Sequence, residues 1–283
     1  VTLPTACVSA QFHRDGMTLA YKSSMAIRTI VVGADLRPSG ERALELARQT
    51  ARSTGAALWL VHAIESEDEP LDELERLRTV CEQDGLGAQT SCEAGDPSET
   101  IIQSAMSVKA DLVAVGEPES SVGATSRALG STAAKVVHES PCSVLVACGR
   151  LRNDYRDARI AVGVDFAPHS IEAVRWARDV ASAVGGRVAL IHVEPKGGPK
   201  GLPSAARSKL EQLVVSEGLG SQTTLRLASG PVGAALCQTA DELGADLLFV
   251  GCRGQQREPG TTVGNTCEDC LLHSPVPVIA VRN

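Results

Sequence analysis

The chain is written twice. Ile30-Val31-Val32-Gly33-Ala34-Asp35 returns as Ile160-Ala161-Val162-Gly163-Val164-Asp165, 130 residues later. The register then runs without a gap through Pro38/Pro168, Ala43/Ala173, Ala47/Ala177, Arg48/Arg178, Ala51/Ala181, Gly55/Gly185, Leu60/Leu190 and His62/His192. Later landmarks recur as well: Ala110-Asp111-Leu112 with Ala245-Asp246-Leu247, Val115-Gly116 with Val250-Gly251, and Ser140-Pro141 with Ser274-Pro275. A solenoid unit is about 20–50 residues long, so this period is a whole domain. The 283 residues accommodate two such domains, each of a size that can bury its own core. The two copies must share one fold, and function is to be sought where they differ.

Each copy alternates short β-branched runs with longer helical patterns. That alternation reads as βαβ units, a doubly wound α/β fold with helices on both faces of a parallel sheet. In the first copy strands are expected near 28–34, 57–63, 88–93, 111–115 and 142–147. Ala43, Leu44, Leu46, Ala47 and Ala51 mark one helix, and Leu71, Leu74, Leu77 and Cys81 a second. Pro97 opens a third at a position where its missing N–H is harmless, and a fourth runs from 131 to 139. The second copy repeats the pattern, with strands near 159–164, 187–193, 222–227, 246–250 and 277–281 and helices near 169–184, 203–217, 231–243 and 265–273. The domains are therefore 26–148 and 158–283, joined by a short charged linker at 149–157, close enough to pack as a pseudo-dimer. Residues 1–25 are expected to be a disordered extension or a mis-assigned start, with Met17 and Met25 as alternative first residues.

Composition excludes several classes of function. The net charge of −7 and an aromatic content of 2% argue against nucleic acid, which calls for a basic face and stacking rings. No apolar run approaches the roughly 20 residues of a membrane span, and the first 24 residues carry no apolar core of a secretory signal. Nine cysteines, an odd number scattered over both copies, fit a reducing cytoplasm better than a disulfide framework. The expected location is the cytoplasm.

The strongest chemical signal follows the fourth strand of the second copy: Gly251-Cys252-Arg253-Gly254, nine residues, then Gly264-Asn265-Thr266. Glycines let a backbone approach a ligand closely, and loop N–H groups with the positive end of the next helix favour phosphate. Asn265 is expected near the N-cap. In an open α/β sheet the ligand crevice lies at the carboxyl ends of the strands, at the switch in strand order. Asp165, ending the copy's first strand, shares that end.

Gly-x2-Gly-x9-Gly after a strand that follows Ala245-Asp246-Leu247 resembles the nucleotide-binding motif of the universal stress protein family. Val162-Gly163-Val164-Asp165, Ile191-His192-Val193 and Ser274-Pro275-Val276-Pro277-Val278 add to the resemblance, which covers both copies. It implies a five-stranded parallel sheet in the order 3-2-1-4-5, dimer-like pairing and, in one subgroup, an ATP site, with Mg as a possible companion of the nucleotide. It implies a pocket lined by Asp165, Val193, Val250, Gly251, Gly254, Gly264, Asn265 and Thr266. Asn265 departs from the Ser or Thr of that subgroup, which weakens the site without abolishing it.

The first copy keeps Asp35, Gly116, Gly130 and Ser131, a weak or relic site. Its loop puts Glu119 in place of the second glycine, and it is one residue longer: Gly116/Gly251 differ by 135 and Gly130/Gly264 by 134. Residues 117–129 carry Glu117, Glu119 and Arg127, net −1, against Arg253, Arg257 and Glu258, net +1, over 252–263. A carboxylate beside a phosphate is repulsive by roughly a kcal/mol even at high dielectric. Nucleotide is therefore expected mainly in the second copy.

Plainer readings stand beside these. Asp35 and Asp165 are also ordinary turn residues, and His62 and His192, at matching strand ends, read as structural. Cys267-x2-Cys270, with His273 on the same helix face, reads first as core packing, then as a redox pair with a lowered pKa. It falls short of the roughly four ligands of a closed zinc site, so no metal site is assigned. No nucleophile elbow, paired carboxylates or Walker lysine appears, so no catalytic residue is assigned and the protein is not read as an enzyme. The leading reading is a stress-response or regulatory protein that binds ATP and signals to an unidentified regulatory protein partner. The last strands, Val144–Ala147 and Val278–Val281, are expected to pair with each other, or with a second chain in a homodimer. The alternatives are a ligand-free interaction module of the same fold, or a thiol sensor at Cys267 and Cys270.

Overall fold

A computed structural model describes residues 27–64, 71–117, 129–194, 205–252 and 263–282. The expected extension at 1–25 lies outside them. The first copy runs β1 (Thr29–Gly33), α1 (Pro38–Thr54), β2 (Ala57–Ile64), α2 (Leu71–Gln83), β3 (Ala88–Ala94), α3 (Pro97–Ser107), β4 (Leu112–Gly116), α4 (Ser131–Glu139) and β5 (Ser143–Ala147). The second runs β6 (Arg159–Gly163), α5 (Pro168–Val184), β7 (Arg187–Glu194), α6 (Ala205–Ser216), β8 (Thr224–Ser229), α7 (Val232–Glu242), β9 (Leu247–Gly251), α8 (Asn265–His273) and β10 (Val278–Val281). The expected elements are present, with ends displaced by one or two residues.

Local chemistry sets these elements. Helices α1 and α5 both begin at a proline and end at a left-handed glycine, Gly55 at φ 77° and Gly185 at φ 68°, where a Cβ would be penalised. Both bury a stripe of small and aliphatic residues, Ala43, Leu44 and Ala47 in one and Ala173, Val174 and Ala177 in the other. Asp96 caps α3 by accepting from Glu99 N, with Pro97 as first helical residue.

The strands form one ten-stranded sheet, in the order β3-β2-β1-β4-β5-β10-β9-β6-β7-β8. Each copy has the 3-2-1-4-5 order that the resemblance implied. The copies meet through an antiparallel pair, with Val146 opposite Val278, Leu145 opposite Ile279 and Val144 opposite Ala280. The last strands thus pair with each other and lie at the centre of the sheet.

Strand alternation sends Ile30, Val32, Ile160 and Val162 to one face, where they pack with α1, α2, α5 and α6. Val31 and Ala161 go to the other face, with α3, α4, α7 and α8. Each helical layer runs across both copies.

The segment between the copies is a packed strap. Arg150 N donates to Pro275 O at 2.8 Å, and Arg152 pairs with Asp246 at 2.8 Å. Gln49 holds it from α1, accepting from Tyr155 N at 3.0 Å and donating to Asn153 O at 3.1 Å. Tyr155 is buried, and burial pushes its phenol up to about 12. The unfolded chain gives up this proton at about pH 10. Stability from this group is complete below that pH and is lost as pH climbs towards the folded value, by roughly 2–3 kcal/mol. Urea titrations at pH 9 and pH 11.5 should show a steeper loss in the wild type than in Tyr155→Phe. Parallel losses would remove Tyr155 as the cause.

Candidate functional site

The carboxyl ends of β1 and β4 diverge at the switch in strand order, where such sheets place ligands. In the first copy a cavity of about 380 Å³ opens there, lined among others by Asp35, His62, Ile101, Val115, Gly116 and Thr132. That is the small end of the range for ligand pockets. By the repeat register Asp35, Ala63, Val115, Gly116 and Thr132 of this lining match Asp165, Val193, Val250, Gly251 and Thr266. Five of the eight positions expected in the second copy therefore have counterparts that line a cavity. Gly254 and most of its loop lie outside the described residues, as do Glu119 and Arg127. Gly130 and Ser131 start α4, next to the lining.

The two aspartates differ. Asp35 Oδ1 accepts from Arg37 N at 3.0 Å and Gly40 N at 2.9 Å, and Oδ2 accepts from Ser39 Oγ at 2.5 Å. Three donors from the start of α1 take up most of that carboxylate's capacity. In the second copy Ser170 stands in place of Gly40. Its N–H turns to Ala167 O at 3.0 Å, and its hydroxyl accepts from Asp165 N at 3.3 Å. Asp165 Oδ1 accepts from Ala167 N at 2.9 Å. At matching positions the two carboxylates thus take different partners: Gly40 N meets Asp35, whereas Ser170 N meets Ala167 O. Both are followed by a non-glycine residue at positive φ, Leu36 at 54° and Phe166 at 64°, a costly conformation repeated in both copies.

The histidines are structural, as expected. His62 Nδ1 donates to Ala34 O at 2.6 Å and His192 Nδ1 to Val164 O at 2.7 Å, each fastening β2 or β7 to the turn after β1 or β6.

Gly116 and Gly251 have a packing role that the sequence reading did not give them. A Cβ on Gly116 would overlap Ser39 O, and one on Gly251 would lie 2.9 Å from His169 C. The first turns of α1 and α5 cross these strand ends too closely for a side chain.

The N-caps of α4 and α8 are Gly130 and Gly264, with no side-chain cap bond. Gly264 is thus the N-cap and Asn265, expected near it, the first helical residue. A glycine cap brings no side-chain acceptor of its own, so α8 presents its N-terminal amides, and Thr266 beside them, to an incoming anion.

The charge argument against the first copy needs correcting as well. Glu117 is buried, 3.8 Å from Arg42 Nη2, and that guanidinium also donates to Gly149 O at 2.6 Å. Its negative charge is answered from within the protein. The second copy has Cys252 and Glu172 at these two positions.

The thiols of Cys267 and Cys270 are buried in the core, as the leading reading expected, and their arrangement runs against the redox-pair alternative. Cys237, Cys252, Cys267 and Cys270 are all free thiols: Cys267 is hydrogen-bonded to Cys252, and Cys270 to Cys237, so the two members of the Cys-x-x-Cys have different hydrogen-bond partners. These bonds and burial raise both thiols well above the ordinary cysteine range, opposite to what a reactive pair needs. Among the described residues no group of three or more metal-ligating side chains is assembled.

Sequence reasoning missed Thr132 and Ile101 as lining residues. The repeat register pairs Thr132 with Thr266, a signal that would have found the first.

Comparison with known proteins decides the family. The sequence model described as "Universal stress protein family" matches residues 26–147 and again 158–282. The chain belongs to the universal stress protein family. It is 35% identical over 140 residues to a universal stress protein from Thermus aquaticus, a match covering 42% of this chain and 97% of that one. Among solved structures, a universal stress protein from Archaeoglobus fulgidus aligns over 91% of this chain and 99% of its own, with a TM-score of 0.70 and 21% identity. A putative universal stress protein from Pseudomonas aeruginosa aligns over 90% and 93%, with a TM-score of 0.71 and 19% identity. These two likenesses carry the fold across the full tandem. Among the described residues of this universal stress protein, no helix is long and apolar enough to cross a membrane.

Proposed function

We propose that this universal stress protein is a cytoplasmic regulator of the stress response that binds ATP, mainly in its second copy, and acts by binding and not by turnover. The observation that carries the reading is the α8 N-terminus, capped by Gly264 with no side-chain acceptor, at the end of the Gly251, Gly254 and Gly264 spacing that the second copy retains. The Asp165 carboxylate suits the hydrogen-bond donors of a base or ribose. The α8 amides suit phosphate, an attraction of up to about 2 kcal/mol in a partly buried site. Mg would accompany the phosphates. In the first-copy cavity His62 donates to Ala34 O, and the Asp35 carboxylate accepts from Arg37 N, Ser39 Oγ and Gly40 N. A partner would read the occupied state through the carboxyl-end surface.

Isothermal titration with Mg–ATP tests this on the full chain. Asp165→Ala should weaken binding about tenfold or more, the loss of one good polar contact, while Asp35→Ala should leave it within about twofold. Equal losses, or a larger loss from Asp35→Ala, would overturn the assignment to the second copy. Absence of binding by the wild type would overturn nucleotide binding itself and favour a ligand-free interaction module.

A further inference from the structure

Five cysteines of this chain, Cys148, Cys237, Cys252, Cys267 and Cys270, are buried in one core on the α7–α8 side of the sheet. Two of them bracket the segment that carries the glycine motif. Cys252 directly follows β9, and Cys267 lies in the first turn of α8. The backbone brings them together from both sides. Cys252 N donates to Val281 O at 2.8 Å, Gly264 N donates to Cys252 O at 2.8 Å, and Cys267 N donates to Gly264 O at 2.9 Å. Their thiols are hydrogen-bonded to one another, and each residue is 1% exposed.

We propose that Cys252 and Cys267 form an oxidation site, at which a hydroperoxide converts the two thiols into one disulfide that staples the end of β9 to the first turn of α8. One thiolate, Cys267 in the simplest sequence, attacks a peroxide oxygen. An S–O bond forms, the O–O bond breaks, and hydroxide leaves and takes up the thiol proton as water. The second sulfur then attacks the sulfenic sulfur. The S–S bond forms, the S–O bond breaks, and a second water leaves with the remaining proton. Two thiols and one hydrogen peroxide give one disulfide and two waters. The two electrons taken from sulfur reduce the peroxide.

The site differs from the Cys-x-x-Cys pair, whose members face different partners. It also differs from Cys237 and Cys270, which sit between two regular helices, α7 and α8, and become reachable only when those helices part. Cys267 needs only the end turn of a helix to fray, and helix ends are where local opening is easiest. Burial and the thiol–thiol bond hold Cys267 protonated at neutral pH. Oxidation is therefore slow there and rises about tenfold per pH unit as thiolate becomes available. Regulation of the nucleotide site rests on the reading above: phosphate held at the start of α8 keeps that turn closed and protects the pair.

The test is treatment of the full chain with graded hydrogen peroxide, alkylation of remaining thiols, and non-reducing peptide mapping. The expected first cross-link is Cys252–Cys267, with a thermal midpoint raised by about 5 °C or more and restored by a thiol reductant. Cys252→Ser should abolish that cross-link without creating a Cys267–Cys270 one. Since the mapping is read on the wild type, it stands even where the variant folds poorly. A first cross-link at Cys267–Cys270 or Cys237–Cys270 would overturn the proposal. So would full alkylation of Cys252 and Cys267 at a dose that oxidises exposed Cys92 completely. Repeating the time course with saturating Mg–ATP should slow the cross-link at least fivefold. An unchanged rate would overturn nucleotide control at α8 and leave the oxidation site standing.

Discussion

Gly149→Ala is expected to cost about 2–4 kcal/mol of stability, seen as a large fall in the urea midpoint with little change in its slope. Gly149 sits at φ 64°. A Cβ there would land on the backbone of Pro275 and 2.6 Å from Val276 N, on the other copy's final turn. Neither obstacle can swing aside, because both are main chain, and the strap is tied beside them by Arg150 N to Pro275 O. Gly55→Ala provides the control. Gly55 has φ 77° with nothing within 4 Å of a built Cβ, so its alanine carries only the conformational penalty, about 1 kcal/mol. Equal losses at the two sites would show that Gly149 is required for its backbone angle and not for the close approach of the copies.

The second large effect is expected at Arg42. Arg42→Met should lose about 3 kcal/mol, since it leaves the buried Glu117 carboxylate and Gly149 O without their cation. The pair is held at 3.8 Å, and Arg42 is 28% exposed, so solvent moderates the loss from the upper range for buried pairs. The double variant Arg42→Met/Glu117→Gln should recover a good part of it, because the amide carries no charge to strand. Chemical denaturation of the three variants gives the coupling. Additive losses would mean that the two side chains do not act as a pair.

The fold was legible because the repeat constrains it twice. The period-two and helical patterns that place β1 and α1 recur in β6 and α5, so an ambiguous stretch in one copy is corrected by the other. Pro38 with Gly55, and Pro168 with Gly185, mark both ends of these helices in plain sequence. The site was less legible, for reasons of geometry. The Gly40-to-Ser170 exchange looks conservative in sequence, yet it redirects an N–H from Asp35 in one copy to Ala167 O in the other. The charge of Glu117 was visible, but its burial against Arg42, 75 residues earlier in the chain, was not. Counting cysteine spacing paired Cys267 with Cys270, whereas the fold brings Cys252 and Cys237 to them from other elements.

The antiparallel pairing of β5 with β10 has a further consequence. Two separate chains meeting through the same strand must each be complementary to themselves, and their association weakens on dilution by mass action. Covalent linkage removes both conditions. His138 of one copy pairs with Glu268 of the other at 3.1 Å, and Arg282 donates to Val137 O at 2.6 Å. The residue equivalent to Arg282 by the repeat is Cys148, which instead bonds Val276 O at 3.4 Å. Such unequal contacts cannot arise in a twofold pairing of identical chains. Here each side of the joint is free to specialise, and the joint holds at any protein concentration.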